Sequence, residues 1–177
     1  MTDTAAAPAP APETVWEGKY LTAIKAGHWE YAERKGRIGA AVIVAVNDAG
    51  ELILVEQARI PVGRRCLELP AGLVGDESAD ETLEQAAIRE LEEETGYRAE
   101  RIEVLGEYYS SPGMTSEAFT MVRATGLTRT GDGGGEEGED IVVHRVPVAD
   151  VERFVAEKRA AGLGIDAKLL ALLGPKL

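Results

Sequence analysis

The chain has 177 residues, of which 45% are hydrophobic, and these values are typical of a single globular domain with a full core. Its net charge of −12 argues against charge-driven binding to nucleic acid polymers or anionic membrane surfaces, although bound metals and a few arginines can still attract a small phosphate ligand. One cysteine excludes an internal disulfide, and the lack of a long apolar run or a secretory signal predicts a cytoplasmic protein without a membrane-spanning helix.

The beginning of the chain is predicted to form two segments of different character. Residues 1–13 are rich in alanine, proline and threonine, which predicts a disordered tail. Residues 14–36 alternate loosely between apolar and polar side chains, which indicates short antiparallel strands with a turn near residues 26–27. These strands are expected to precede a main domain at residues 37–177.

The main domain is predicted to belong to the α+β class. Strands are predicted at residues 40–46, 52–57, 66–69, 102–109, 118–124 and 141–146. Helices are predicted at residues 81–95, 148–161 and 166–173. Glycines and acidic residues between 128 and 140 predict a mobile surface loop. Because strands outnumber helices and run in hairpin-like order, the pattern favours α+β over a parallel doubly wound fold.

The predicted helix at 81–95 concentrates carboxylates. Glu90, Glu93 and Glu94 stand at i, i+3 and i+4 and are expected to share a face, where like charges repel one another. Such a face is either solvated or neutralised by a divalent cation, and ligands that are all oxygen suit Mg²⁺ or Mn²⁺ rather than Zn²⁺. The simpler alternative is an acidic amphipathic helix that ends at a Gly96 cap.

The same segment resembles the Nudix box, G-x5-E-x7-R-E-U-x-E-E-x-G-U, in which U is apolar or aromatic. The matching residues are Gly75, Glu81, Arg89, Glu90, Leu91, Glu93, Glu94, Gly96 and Tyr97. Family members usually place the first glycine directly after a Pro-Ala pair, and that glycine would be Gly72 here. We interpret the difference as a three-residue insertion between strand and helix, which leaves the half from Arg89 onward unchanged.

The resemblance implies a mixed β-sheet between helices and the hydrolysis of a nucleoside diphosphate linked to another group. It implies that Glu90 and Glu94 bind Mg²⁺, with Mn²⁺ as the alternative, and that the Ala71 carbonyl completes the ligand set. Glu93 would be a further ligand or lie next to the metal. Arg89 would hold a helix carboxylate in place through an ion pair.

Four further segments resemble the ADP-ribose pyrophosphatase group of this family. They are W-E-x-x-x-R at 29–34, E-Q-x-R at 56–59, S-P-G-x-T-S-E at 111–117 and E-x-E-D-I at 137–141. The resemblance implies that Trp29 stacks on adenine, and that Glu30 and Arg34 contact the base edge and a phosphate. Arg59 would bind a phosphate in bidentate fashion. The alternatives are a core tryptophan, exposed strand charges and a strand-edge salt bridge.

The last two segments imply roles near the reacting bond. The loop with Ser111, Gly113 and Glu117 would approach the terminal ribose, unless it is an ordinary turn. Glu139, or failing it Glu137, would deprotonate the attacking water, and Glu139 could also contact the metal. The alternative is a solvated acidic loop, and the base would then be Glu93.

The expected activity is Mg²⁺-dependent hydrolysis of ADP-ribose to AMP and ribose 5-phosphate. The alternatives are another nucleoside diphosphate sugar, such as GDP-mannose or ADP-glucose, and a non-catalytic nucleotide sensor. The segment at 14–36 holds four of the nine aromatic residues, and a short strand pair of this kind is unstable alone. By resemblance it forms a homodimer with composite active sites, in which Trp29 and Glu30 reach the adenine bound by the other subunit.

Overall fold

The computed structural model describes residues 10–37, 39–75, 78, 80–136 and 138–173. The strands are β1 (Glu13–Glu17), β2 (Leu21–Ala26), β3 (Trp29–Arg34), β4 (Ala40–Ala45), β5 (Glu51–Arg59), β6 (Arg64–Glu68), β7 (Ala71–Leu73), β8 (Tyr97–Arg98), β9 (Arg101–Tyr109), β10 (Ala118–Thr125), β11 (Thr128–Arg129), β12 (Val142–Pro147) and β13 (Gly164–Ile165). The helices are α1 (Leu83–Thr95), α2 (Val151–Ala160) and α3 (Leu170–Leu173).

The strands form two four-stranded mixed sheets, one three-stranded sheet and one strand pair. The four-stranded sheets have the orders β7-β4-β10-β9 and β12-β5-β6-β13. Each contains one parallel pair, β4 with β10 and β6 with β13, among antiparallel neighbours. The prediction of a mixed α+β fold is confirmed.

The alternation along β4 sends successive side chains to two different cores. Ala41 and Ile43 pack in one cluster with Leu91 of α1. Val42 belongs to the other cluster, which includes Val155 of α2. Because neighbouring strand residues point to opposite faces, one apolar strand supports a helix layer on each side of the sheet.

Helix α1 begins two residues later than predicted. Thr82 is its N-cap and forms a capping box with Gln85. Glu81 therefore lies outside the helix, where its carboxylate accepts a hydrogen bond of 3.0 Å from the Gly75 N–H. At the other end Gly96 takes a left-handed conformation, with φ of 71°, and caps the helix as predicted.

The N-terminal strands form an antiparallel sheet, β1-β2-β3, that is attached to the rest of the chain. The Ala32 N–H donates to the Met114 carbonyl at 2.9 Å, and the Ser116 N–H donates to the Ala32 carbonyl at 3.1 Å. Of the predicted tail, residues 1–9 lie outside the described residues, and Glu13 already belongs to β1. The attachment holds β3 against the loop that follows β9.

The closing helices are shorter than predicted because 3-10 turns replace their first residues, at Val148–Asp150 and Ala167–Leu169. Strand β13, which the sequence did not reveal, pairs with β6 ahead of the second turn. Strands β7, β8, β11 and β13 have only two or three residues each, too few to show a period. Within the described residues, no helix combines the length and apolar character needed to cross a bilayer.

Candidate active site

A cavity of about 410 Å³ opens where β4, β5, β7 and α1 meet the loop after β9. Its charged lining residues are Arg34, Arg59, Lys168, Glu68, Glu90, Glu94, Glu117 and Glu139. A larger cavity of about 640 Å³ runs along another part of α1, beside Arg89 and Glu93. We place the candidate site in the smaller cavity because it gathers carboxylates from distant parts of the chain together with cationic side chains.

Glu94 is a deeply buried carboxylate of this cavity. It is 6% exposed, and its Oε2 accepts a hydrogen bond of 3.1 Å from the Ala71 N–H. Burial raises the pKa of Glu94 to about 8, the Ala71 N–H opposes this shift, and the charges of Glu90 and Glu139 add to it. Without a nearby positive charge the Glu94 carboxyl therefore tends to stay protonated near neutral pH, and a bound cation would favour its ionised form.

Glu90 lies one helical turn before Glu94 and rests against the backbone of Gly72. A Cβ atom at Gly72 would lie 1.8 Å from Glu90 Cδ, so any side chain there would displace the carboxylate. Burial raises the pKa of Glu90, while its ion pair with Arg89 opposes the shift. Gly72 is therefore needed at this position to leave space for the Glu90 carboxylate, and this need does not depend on the length of the segment between Gly72 and the helix.

Arg89 ties three carboxylates together beside the cavity. Its Nε donates to Glu81 Oε1 at 2.9 Å, and its Nη1 donates to Glu90 Oε1 and to Glu93 Oε2, each at 3.0 Å. The hydrogen bond to Glu81 raises the pKa of Arg89 further, against burial, so the guanidinium stays charged. As the resemblance implied, this arginine holds helix carboxylates in place.

The segment between β11 and β12 lies along the end of α1. The Gly134 N–H donates to the Glu94 carbonyl at 2.9 Å, and the Gly135 N–H donates to the Glu93 carbonyl at 3.0 Å. The prediction of a mobile surface loop at residues 128–140 did not include this docking. Glu139 Oε2 accepts a hydrogen bond of 3.1 Å from the Glu136 N–H, and the docked segment places Glu139 in the same cavity as Glu94.

Two arginines of the cavity are each held by a carboxylate. Arg59 donates through Nε and Nη2 to the two oxygens of the buried Glu68, at 2.7 and 2.8 Å. These bonds raise the pKa of Arg59, burial opposes the shift, and Glu94 contributes to it. Arg34 donates through the same two nitrogens to Glu117 Oε1, at 3.1 and 2.8 Å. Both guanidinium groups therefore enter the cavity in fixed orientations.

Residues 36–173 match the NUDIX domain, which is more than half of the chain. The chain belongs to the Nudix family. The ADP-ribose pyrophosphatase of Bacillus subtilis is 35% identical over 121 residues, which are 68% of this chain and 64% of that protein. The ADP-sugar pyrophosphatase of Mus musculus is 34% identical over 185 residues, with 90% of this chain and 82% of that protein covered.

A solved structure described as that of an ADP compounds hydrolase has the same fold, with a TM-score of 0.66 and 24% identity over 82% of each chain. The chain spans between 49% and 64% of the length of five curated relatives, one of which is the Bacillus subtilis protein. Family and fold are therefore established by the comparisons.

The carboxylates of the Nudix box do not all line the same cavity. Glu90 and Glu94 line the smaller cavity with Glu139, whereas Glu93 pairs with Arg89 and lines the larger one. Glu90 and Glu93 share a side of α1, since both accept from Arg89 Nη1, but Glu93 lines the larger cavity and Glu94 the smaller one. Consecutive helical residues such as Glu93 and Glu94 are about 100° apart, which accounts for the separation. Glu137 lies outside the described residues.

The other residues predicted from the sequence fall into two groups. Arg34, Arg59 and Glu117 line the cavity, but Trp29 and Glu30 are exposed on β3 and lie outside it. Trp29 is 51% exposed, so the alternative of a core tryptophan is wrong for this chain as a monomer.

The loop after β9 approaches the cavity through a residue that the sequence did not single out. Ser110 lines it, whereas Ser111 directs its carbonyl to the N–H groups of Met114 and Thr115, at 2.9 and 3.0 Å. Gly113 has open space on its Cβ side, as an ordinary turn would.

Glu68 and Lys168 were also missed. The available signal for Glu68 was an acidic residue between the apolar Leu67 and Leu69, at the end of β6; Glu68 is 4% exposed and needs a cationic partner. For Lys168 no local signal exists, because only the pairing of β13 with β6 brings the end of the chain to the cavity.

The donor chemistry of the cavity suits a hard divalent cation. Among the described residues, no three Asp, Glu, His or Cys side chains stand as a ready-made metal site. Glu90 and Glu94 nevertheless offer only oxygen atoms, and Gly72 leaves room for the Glu90 carboxylate. Burial, with a smaller contribution from Glu90 and Glu139, raises the pKa of Glu94, and a cation would offset both effects. By their chemistry these residues therefore fit Mg²⁺ or Mn²⁺.

Proposed function

We propose that this chain is a Mg²⁺-dependent hydrolase that cleaves the pyrophosphate bond of ADP-ribose and releases AMP and ribose 5-phosphate. The observation that carries the proposal is one cavity with Glu90, Glu94 and Glu139 beside the tethered guanidinium groups of Arg34 and Arg59. Carboxylates for a metal and cations for phosphates are what the hydrolysis of a doubly anionic bridge requires. The names of the relatives favour an ADP-sugar substrate.

Glu90, Glu94, Glu139 and the Ala71 carbonyl would hold the metal, which is Mg²⁺ in the proposal and Mn²⁺ in the alternative. When bound, a divalent cation neutralises phosphate charge and lowers the pKa of a coordinated water. Glu94 would then ionise despite its burial, because a cation offsets the cost that now raises its pKa.

Arg59 would orient the pyrophosphate. Glu68 occupies its Nε and Nη2, and among the described residues its Nη1 has no carboxylate partner. A guanidinium fixed on one side presents its remaining N–H groups to a phosphate without a further loss of rotational freedom. Arg34, held by Glu117, would contribute a second positive charge on the same wall.

Glu139 would accept the proton of the attacking water. It lies in the cavity near Glu90 and Glu94, and it contributes to the raised pKa of both. Glu93 is the weaker candidate because its carboxylate pairs with Arg89. Glu137 remains the second candidate for the general base on the basis of the sequence.

The activity is tested by offering ADP-ribose, ADP-glucose and GDP-mannose to the protein with Mg²⁺ or Mn²⁺ and identifying the products by mass. We expect AMP and ribose 5-phosphate from ADP-ribose, loss of activity in chelator, and loss of activity in Glu94→Gln. Faster turnover of another sugar would transfer the proposal to that substrate. If none of them is hydrolysed, a non-catalytic nucleotide sensor becomes the better explanation. The presence of Glu90, Glu93 and Glu94 argues against a sensor, because nucleotide binding without catalysis does not need these carboxylates.

We also propose that the active protein is a homodimer with composite sites. Trp16 of β1 and Trp29 of β3 are 60% and 51% exposed, and Tyr20, directly before β2, is 64% exposed. Exposed aromatic groups on one small sheet favour a protein interface. In this arrangement Trp29 and Glu30 of one subunit would contact the adenine in the cavity of the other.

Mixing two inactive variants tests the shared site. Trp29→Ala/Glu30→Ala lacks the base contacts, and Glu94→Gln lacks a metal ligand. After subunit exchange, a heterodimer contains one cavity with every residue intact, so activity is expected to return. A monomer by sedimentation at the assay concentration, or no recovery after verified exchange, would contradict the composite site.

A further inference from the structure

Lys168 is a third cation on the wall of the candidate site, outside the short motif segments that pointed to the site from the sequence. It lines the same cavity of about 410 Å³ as Glu94 and Arg59. It also lines a neighbouring cavity of about 410 Å³ that runs toward Pro61 and Gly164. Arg34, Arg59 and Lys168 are shared by both cavities, so the three cationic side chains stand where the two cavities meet.

The backbone around Lys168 is well anchored. The Asp166 N–H donates to the Leu67 carbonyl at 3.0 Å and continues the pairing of β13 with β6. Asp166 Oδ1 accepts a hydrogen bond of 2.7 Å from the Lys168 N–H, and Leu169 is fully buried. The 3-10 turn therefore fixes the Cα position of Lys168 at the rim of the site and leaves its long side chain as the adjustable part.

The Lys168 ammonium has donors available to a ligand. Within the described residues its one acidic partner is Asp166, two positions earlier in the chain. Arg34 and Arg59, by contrast, each direct two nitrogens at a carboxylate. An ammonium group has three donors on a flexible stem and binds phosphate as a compact point charge. A phosphate can therefore gain a contact with Lys168 without breaking the paired hydrogen bonds that hold Arg34 and Arg59 to their carboxylates.

A purely structural role for the Lys168 ammonium explains these contacts less well than a role in ligand binding. A partly exposed pair between side chains two residues apart contributes little to stability. Asp166 already stabilises the turn through the Lys168 backbone N–H, which does not need the ammonium. The Lys168 Nζ lies 5.8 Å from the centroid of the Phe119 ring, and Phe119 lines the same cavity. The side chain thus extends over the cavity wall rather than away from it.

We propose that Lys168 is a substrate-binding residue whose ammonium donates to a non-bridging oxygen of the pyrophosphate. The inference rests on the proposed function, since it takes a nucleoside diphosphate sugar as the ligand. Asp166 would position the ammonium before binding. The contact is made to the phosphates, which all such sugars share, so it should contribute equally to every one of them.

The test compares Lys168→Met, which keeps the length of the side chain, with Lys168→Arg, which keeps the charge. Arg153→Met is the matched control, because it removes an exposed cation of α2 that pairs with Glu157 outside the cavity. For each protein, KM and kcat are measured with ADP-ribose, ADP-glucose and GDP-mannose. The Kd for a methylene-bridged, non-hydrolysable analogue of ADP-ribose is measured by calorimetry.

Lys168→Met is expected to raise KM and Kd about 10- to 100-fold, the effect of one lost hydrogen bond to a charged group, with a smaller change in kcat. Lys168→Arg should recover most of this loss, and Arg153→Met should show none. The ratio of mutant to wild-type KM should be the same for the three sugars. Thermal unfolding of the variants should stay near that of the wild type, which separates the contact from a loss of fold.

Values of KM and Kd for Lys168→Met within about twofold of the wild type would overturn the inference, provided the wild type hydrolyses a sugar. A KM ratio that differs about tenfold or more between sugars would move the contact to the sugar and overturn the phosphate assignment. A wild type that neither hydrolyses the sugars nor binds the analogue would remove the proposed function and this inference together. If Lys168→Met does not fold, Lys168→Gln supplies the same measurement.

Discussion

Glu94→Gln is expected to make the metal-free protein more stable above neutral pH while removing its activity. In the unfolded chain this carboxyl ionises near its ordinary pKa of 4.5, whereas burial raises the folded pKa to about 8. A raised folded pKa means that ionisation costs stability, with no cost below pH 4.5 and the full cost above pH 8. Glutamine keeps the acceptor for the Ala71 N–H and never ionises.

The size of the effect follows from the shift. One pKa unit corresponds to about 1.4 kcal/mol, so the upper limit is roughly 5 kcal/mol, and about 2 to 4 kcal/mol remains once the surroundings relax around the charge. For a domain of this size that gain is worth about 4 to 16 °C in Tm. The gain should be present in chelator at pH 8 and fall to about a fifth of that value at pH 5.

Thermal unfolding in chelator at the two pH values measures this directly. Glu93→Gln is the control, because the same chemical change on the same helix removes a partner of Arg89 instead of a buried charge. It should give no gain at either pH. Added Mg²⁺ should raise the Tm of the wild type more than that of Glu94→Gln. A Glu94→Gln protein that is no more stable than the wild type at pH 8, or equally stabilised at pH 5, would refute the reasoning.

Three further substitutions separate the roles within the cavity. Glu139→Gln should lower kcat by roughly 10²- to 10⁴-fold with little change in KM, the usual effect of losing a general base, and unchanged kcat would move the base elsewhere. Gly72→Ala should keep the fold, as judged by circular dichroism, yet lose activity and metal affinity, because the new Cβ would displace the Glu90 carboxylate. Arg59→Lys keeps the charge but not the fork held by Glu68, so KM should rise about 10-fold, and an unchanged KM would argue against a phosphate contact.

The sequence was sufficient for the family, the fold class and the central helix. The box fixes α1 through local rules, since Thr82 and Gln85 form its first cap and Gly96 ends it. Short apolar runs on either side of a turn predicted β4 and β5, because a strand packed on both faces is apolar along most of its length. These features depend on neighbours within a few residues.

The parts of the site that the sequence did not reveal depend on contacts between distant segments. Glycines between β11 and β12 indicate backbone freedom but not the docking of Gly134 and Gly135 on the carbonyl groups of α1. The acidic positions of α1 were visible, but which of them is buried is decided by β7, a strand of three residues. Lys168 reaches the cavity only because β13 adds to the edge of a sheet formed about 100 residues earlier.

The carboxylates of the cavity also show how the chain tolerates an arrangement that local rules disfavour. Like charges on successive turns of a helix repel, and burial makes the repulsion stronger. Arg89 compensates Glu90, but within the described residues the one hydrogen-bond donor to the Glu94 carboxylate is a backbone N–H. The uncompensated cost at Glu94 is what a divalent cation can offset, so the instability of the metal-free protein and its affinity for metal should have the same origin. A substitution that stabilises the metal-free protein by removing the buried charge should therefore lower the affinity for metal.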